Sequence, residues 1–159
     1  MKYLEILSYH NTQIVSTDEL KTHLKITYND EDSYIASLEK AAVRSIEQFL
    51  NNFLLSTQLV QYGTVFNDLN ILYKGPGETE EITVSYKSGG SWVSWGNANN
   101  NIEYVYKANP PRIYLLESTT LPTTDDIFQA WKAEYYVGYA SASAIPQPII
   151  QAIKITVAD

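Results

Sequence analysis

Apolar residues recur every three or four positions at Ile35, Leu38, Ala42, Ile46, Phe49 and Phe53, and this period predicts a long helix over about residues 30–52. A shorter signal precedes it in "VSTDELKTHLKI". There Ser16 and Glu19 make a capping box, Val15 and Leu20 match a hydrophobic staple, and Leu20 and Leu24 share a face, so a helix of about two turns starts near residue 16. Lys21 and Lys25 fall toward its negative end. From Ser56 to Val137 the period changes to two, and Gly, Pro and Asn clusters punctuate short runs. Ile82, Val84 and Tyr86 alternate with polar residues, "KSGG" supplies a turn, and "SWVSW" returns as the second arm of a hairpin. Further strands are expected at "IEYVYK", "RIYLL" and "WKAEYYV", with one more in the opening run Tyr3 to Leu7, which predicts a small antiparallel sheet or sandwich. The final segment returns to helix. Gly138 ends a strand, Pro146 and Pro148 mark a helix start, and Ile149, Ile150, Ile153 and Val157 share one face.

The expected fold class is therefore α+β. A small helical core, made of the short, long and C-terminal helices, occupies about 16–54 and 145–159, and an antiparallel β lobe is inserted at about 56–138, all within a single domain over 1–159. Nothing caps the far end of the last helix, and its dipole disfavours Asp159 beside a terminal carboxylate. The natural chain is expected to run on, or a partner to hold this end.

The acidic run in "KITYNDEDSYIASLEK" poses the first chemical question. A calcium loop counted from Asp30 needs Gly at its sixth position and oxygen ligands at alternating ones, but the sixth residue is Ile35. Helix initiation accounts for the run better, with Asn29 or Asp30 as N-cap and Glu31 and Asp32 complementing the dipole. The loop "YKGPGETEE" has two glycines but no Lys after the second, and its acids would repel phosphate. His10 and His23 stand apart from any metal or nucleophile motif, and the neighbouring pairs Glu80/Glu81 and Asp125/Asp126 lack the opposed geometry of a glycosidase. No catalytic, cofactor-binding or metal-binding residues are assigned, and an enzyme is not expected. Trp92 and Trp95 with "GNANNN" suggest a carbohydrate-binding or adhesion module as the alternative function. Their spacing of three places them on opposite faces of a regular strand, which weakens a shared stacking platform.

Composition narrows the class further. At 159 residues the chain suits one ordinary domain, burying roughly 70% of its unfolded surface. A net charge of −7 with only 11 basic residues argues against dedicated nucleic-acid binding. No cysteine means no disulfide, thiolate metal site or cysteine nucleophile. The opening residues lack the apolar block of a cleaved signal and no run is long enough to span a bilayer, so a soluble chain without a membrane partner is expected. Thirteen tyrosines favour a β-rich region or a contact surface.

Taken in order, "VSTDELKTHLKITYNDEDSYIASLEKAAVRSIEQFL", a β insertion and then "YYVGYASASAIPQPIIQAIKITVAD" resemble the head-tail connector (adaptor) family of long-tailed bacteriophages. The motifs are structural and cover a little over a third of the chain, at its two ends. The resemblance implies a virion protein of the neck, made in the host cytoplasm. It implies a ring of copies, commonly twelve, beneath the portal protein, joining capsid to tail, with a stopper or tail-completion protein beyond. DNA would pass through the centre without specific nucleic-acid binding, which suits an acidic protein, since tight phosphate binding would obstruct passage. No cofactor is implied. The ring interface would be heterologous, and Lys40, Arg44 and Glu47 on the polar side of the long helix are candidate subunit contacts, a solvated helix face being the alternative. Tyr104, Tyr106, Tyr135 and Tyr136 are further candidates, or else sheet core. Ile149, Ile150, Ile153 and Val157 are candidates for docking against the portal or a neighbouring copy.

Overall fold

Ser16 begins the first helix with the side chain its sequence offers. In the computed structural model, Ser16 Oγ accepts from the Glu19 amide at 3.2 Å, and helix α1 runs Thr17–Leu24. The structure describes residues 3–77 and 79–159; Met1 and Lys2 of the opening run and Glu78 of the two-glycine loop lie outside the described residues. The chain divides into two compact units, one of residues 10–55 and 139–159, the other of residues 3–9 and 56–138.

In the helical unit, α1 is followed by α2 (Asp32–Leu50) and, after the β region, α3 (Gln147–Ala158). Only half of the capping box forms. Glu19 turns its carboxylate to Lys154 of α3, 2.6 Å away, while Val15 and Leu20 are fully buried as a staple requires. Both α1 and α2 close with a residue in the left-handed region, Lys25 (φ 59°) and Asn51 (φ 53°), and the next amide reaches back to Lys21 O and Glu47 O. This satisfies late carbonyls without the usual glycine. The start of α2 differs from expectation. Glu31 occupies the cap position with no side-chain capping bond, because Asn29 Oδ1 instead accepts from Lys21 Nζ, and Lys21 also ion-pairs with Asp32 at 2.9 Å. Lys21, placed by sequence at the helix end, is thus buried and held by residues at the start of α2. Leu20, Ile35 and Ile153 are essentially inaccessible, and each such side chain contributes about 1.5–3 kcal/mol on burial.

The second unit is one sheet of seven strands: β1 (Tyr3–Ser8), β2 (Thr57–Gly63), β3 (Ile82–Ser88), β4 (Ser91–Ala98), β5 (Asn101–Val105), β6 (Arg112–Leu115) and β7 (Trp131–Val137). Their spatial order is β1-β2-β7-β3-β4-β5-β6. Neither a sandwich nor a purely antiparallel sheet forms, because β4 meets β5 in a short parallel step that pairs Asn97 with Asn101 and Ala98 with Ile102. Nor is the sheet wholly an insertion, since N-terminal β1 pairs antiparallel with β2 at its edge. The period of two is clearest in β7, where Trp131, Ala133, Tyr135 and Val137 are buried and the residues between them are half-buried. The β3–β4 turn is the one expected. Gly89 and Gly90 both take positive φ (59° and 80°) between the paired Ser88 and Ser91, the geometry of a two-residue primed turn.

Candidate assembly surfaces

After its first turn, α2 carries four charged residues, Glu39, Lys40, Arg44 and Glu47, and the fold sorts them by sign. Lys40 and Arg44 are exposed, whereas Glu39 and Glu47 are buried. Glu47 was expected on the polar side and is corrected: its Oε1 receives His10 Nε2 at 2.9 Å and the Leu54 amide at 2.8 Å. Glu39, absent from the expected candidates, accepts the amides of Ile14 (2.9 Å) and Val15 (3.2 Å). Burial pushes its carboxyl up from the ordinary 4.5, against the opposing pull of those two amides and of His10 and Lys40. The signal for both was positional: Glu39 lies four residues after Ile35, and Glu47 four after Val43, inside the apolar stripe. Phe49 moves the other way. Assigned to the buried stripe, it is 89% exposed near the end of α2.

The apolar stripe of α3 also faces inward. Ile150, Ile153 and Val157 are buried in the core of the helical unit and Ile149 packs against it, so these docking candidates are already covered by their own chain. Ile155, on the other side of α3, is 56% exposed. The four tyrosine candidates divide by strand parity. Tyr135 and Tyr104 are buried sheet core, and burial raises both phenols above their ordinary value, while Tyr106 and Tyr136 remain half-buried.

Trp92 and Trp95 lie on different faces, in keeping with their spacing. Trp95 sits edge-on to Phe66 (centroids 5.7 Å) and Trp131 (5.3 Å). Trp92 instead neighbours Tyr62 at 6.1 Å, with Lys87 and Lys132 over its ring at 5.3 and 5.0 Å. The two indoles therefore share no sugar-stacking platform, and the cations over Trp92 occupy its π face. Beside that face runs a groove of about 460 Å³, lined by Gln58, Glu80, Glu81, Ile82, Thr83, Asn97, Ala98, Glu134 and Tyr136. Three of its lining residues are carboxylates and none is basic. Of the other carboxylate pair, Asp125 has a structural role, its two oxygens accepting the Gly89 and Gly90 amides at 2.9 and 2.8 Å. Asp125→Ala should cost about 1–3 kcal/mol and accelerate hydrogen exchange at those two amides, which NMR would read directly.

Among the described residues no group of three His, Asp or Glu side chains could hold a metal ion, and no helix is long and apolar enough to cross a membrane. Residues 15–88, from α1 through β3, match the family of phage gp6-like head-tail connector proteins. That stretch of the chain is similar to these head-tail connectors. Solved structures share the fold across 98% of the chain's length. A chain in the neck of an empty gene transfer agent particle, computed with C6 symmetry, is 22% identical with a TM-score of 0.74 over 82% of its own length. One in the virion of the native gene transfer agent particle is 20% identical with a TM-score of 0.76 over 81%. A third, in the neck of the native particle computed with C12 symmetry, is 21% identical with a TM-score of 0.71 over 81%. At these identities the likeness is one of fold. Among curated proteins, none matches the chain.

Proposed function

We propose that this chain is a structural, non-enzymatic component of a phage-like particle, sited in the neck, where copies form a ring beneath the portal protein and join the capsid to the tail. The match of residues 15–88 to the head-tail connectors carries this reading. The fold shared with chains of gene transfer agent necks, solved with C6 and C12 symmetry, supports a ring, and twelve copies is the count the latter suggests. A stopper or tail-completion protein would complete the joint on the tail side. DNA would traverse the centre, where a net charge of −7 limits adhesion of phosphates to the wall. Such a protein works by shape and multivalent contact, and its surfaces are the functional parts. The test is light scattering on size-exclusion chromatography of the chain mixed with the portal protein of its own particle. Co-elution in many copies per portal is the expected result; a chain that elutes alone at every ratio would defeat the proposal.

A further inference from the structure

We infer that the outward face of α2 docks on the acidic groove of the sheet unit of a second copy, and that this pairing is the repeating contact of the ring. The inference rests on the ring reading above and specifies its faces. Its physical basis is the sorting of charge on α2: past the first turn both acids point into the core and both bases point out, so an acidic protein presents a locally cationic helix face at Lys40 and Arg44. Ser37, Ala41 and Ser45 keep that face low, which allows close approach, and Phe49, 89% exposed, gives it an apolar anchor. Carboxylates complementary to the two cations stand in the groove at Glu80, Glu81 and Glu134, with Lys132 pairing only with the last of these. Glu80 and Glu81 are exposed and face the groove without a basic residue in its lining.

The sign of each surface also selects the symmetry. Two copies meeting α2 to α2 across a two-fold axis would oppose Lys40 and Arg44 with themselves, and two grooves would oppose carboxylates. Unlike faces meeting head to tail avoid both repulsions, and a heterologous contact of this kind closes a ring when its rotation divides the circle. The pairing should weaken with salt, since its charges lie at the surface.

These 159 residues contain no cysteine, so disulfide cross-linking between introduced cysteines reads the contact cleanly. Ala41→Cys on one copy and Thr83→Cys on another, mixed under mild oxidation, should give a linked dimer of the two species, with little product from either alone. In parallel, reversing Lys40 and Arg44 to Glu should weaken self-association at least about tenfold, and combining it with Glu80→Lys and Glu81→Lys should restore it. Sedimentation velocity at low salt follows both. Assembly that persists with no Ala41–Thr83 link and no effect of charge reversal would overturn these faces while leaving the ring intact. Absence of any assembly, alone or with the portal protein, would remove the ring reading and this inference together. A dominant link between Ala41→Cys copies would show a two-fold contact and sink the head-to-tail arrangement.

Discussion

Replacing Ile153 with Asp is expected to unfold the helical unit, while the same replacement at Ile155 should leave it folded. Ile153 is fully buried among the core residues of that unit, which include Leu20, Ile35 and Val43. A carboxylate there would have no partner, at a cost of several kcal/mol, a large part of the stability of an ordinary domain. The gentler Ile153→Ala should cost about 2–5 kcal/mol through lost transfer energy and the cavity it leaves. Ile155 is 56% exposed, and Asp there should cost only about 1 kcal/mol, mostly from the carboxylate in the last turn of α3. Urea unfolding followed by circular dichroism measures both. The contrast separates two roles for the α3 stripe: if it were held ready for the portal, Ile153→Asp would abolish assembly yet leave the isolated chain as stable as before. It also recasts truncation as a test, because removing α3 deletes core and would disturb portal binding whatever surface the portal grips.

Periodicity made most elements legible and told little about how they are joined. The shift from a period near 3.6 to one of two located the three helices and six of the seven strands to within a few residues. Strand β2 (Thr57–Gly63), buried on both faces over much of its length, gave no alternating signal to single it out. The two glycines after Ser88 and the spacing of Trp92 and Trp95 carried local geometry directly. Strand order was not legible. Placing β1 beside β2 and β7 between β2 and β3 depends on contacts far apart in sequence, for which a single sequence holds no local signal. The cap of α2 was misplaced for a related reason: Asn29 is a good cap in isolation, but Lys21, brought close by folding, takes its oxygen.

The assembly surfaces were legible in part, and the misses share one cause. A polar residue inside an apolar stripe is ordinarily assigned to solvent, since ionised groups are costly to bury. Glu39 and Glu47 break that rule because the chain entering α1 and the chain leaving α2 present amides that need acceptors, at Ile14, Val15 and Leu54. With the two acids turned inward, Lys40 and Arg44 remain as the outward charges after the first turn of α2, and the helix acquires the polarity that the proposed docking uses. Phe49 is the converse, an aromatic at a periodic position near the helix end that stays in solvent.

Glu39→Ala should therefore destabilise the helical unit by about 2–4 kcal/mol, because it strands the Ile14 and Val15 amides in a buried place and leaves a cavity as well. Glu39→Gln keeps an acceptor of the same shape and should cost only about 1 kcal/mol near neutral pH. The pH dependence sharpens the comparison. Burial raises the Glu39 carboxyl above its ordinary 4.5, so between that value and its folded value the native state binds more protons than the unfolded chain. The contribution of this group to stability therefore falls as pH rises through that window and levels off above it. Glutamine cannot titrate, so the glutamine variant should compare worst with the natural protein near pH 4 and best near pH 7. Urea unfolding of the natural chain and both variants across that range reads the effect. A glutamine variant as damaged as the alanine one at pH 7 would mean that the negative charge itself holds the two amides, and the account of Glu39 as a buried acceptor would have to be abandoned.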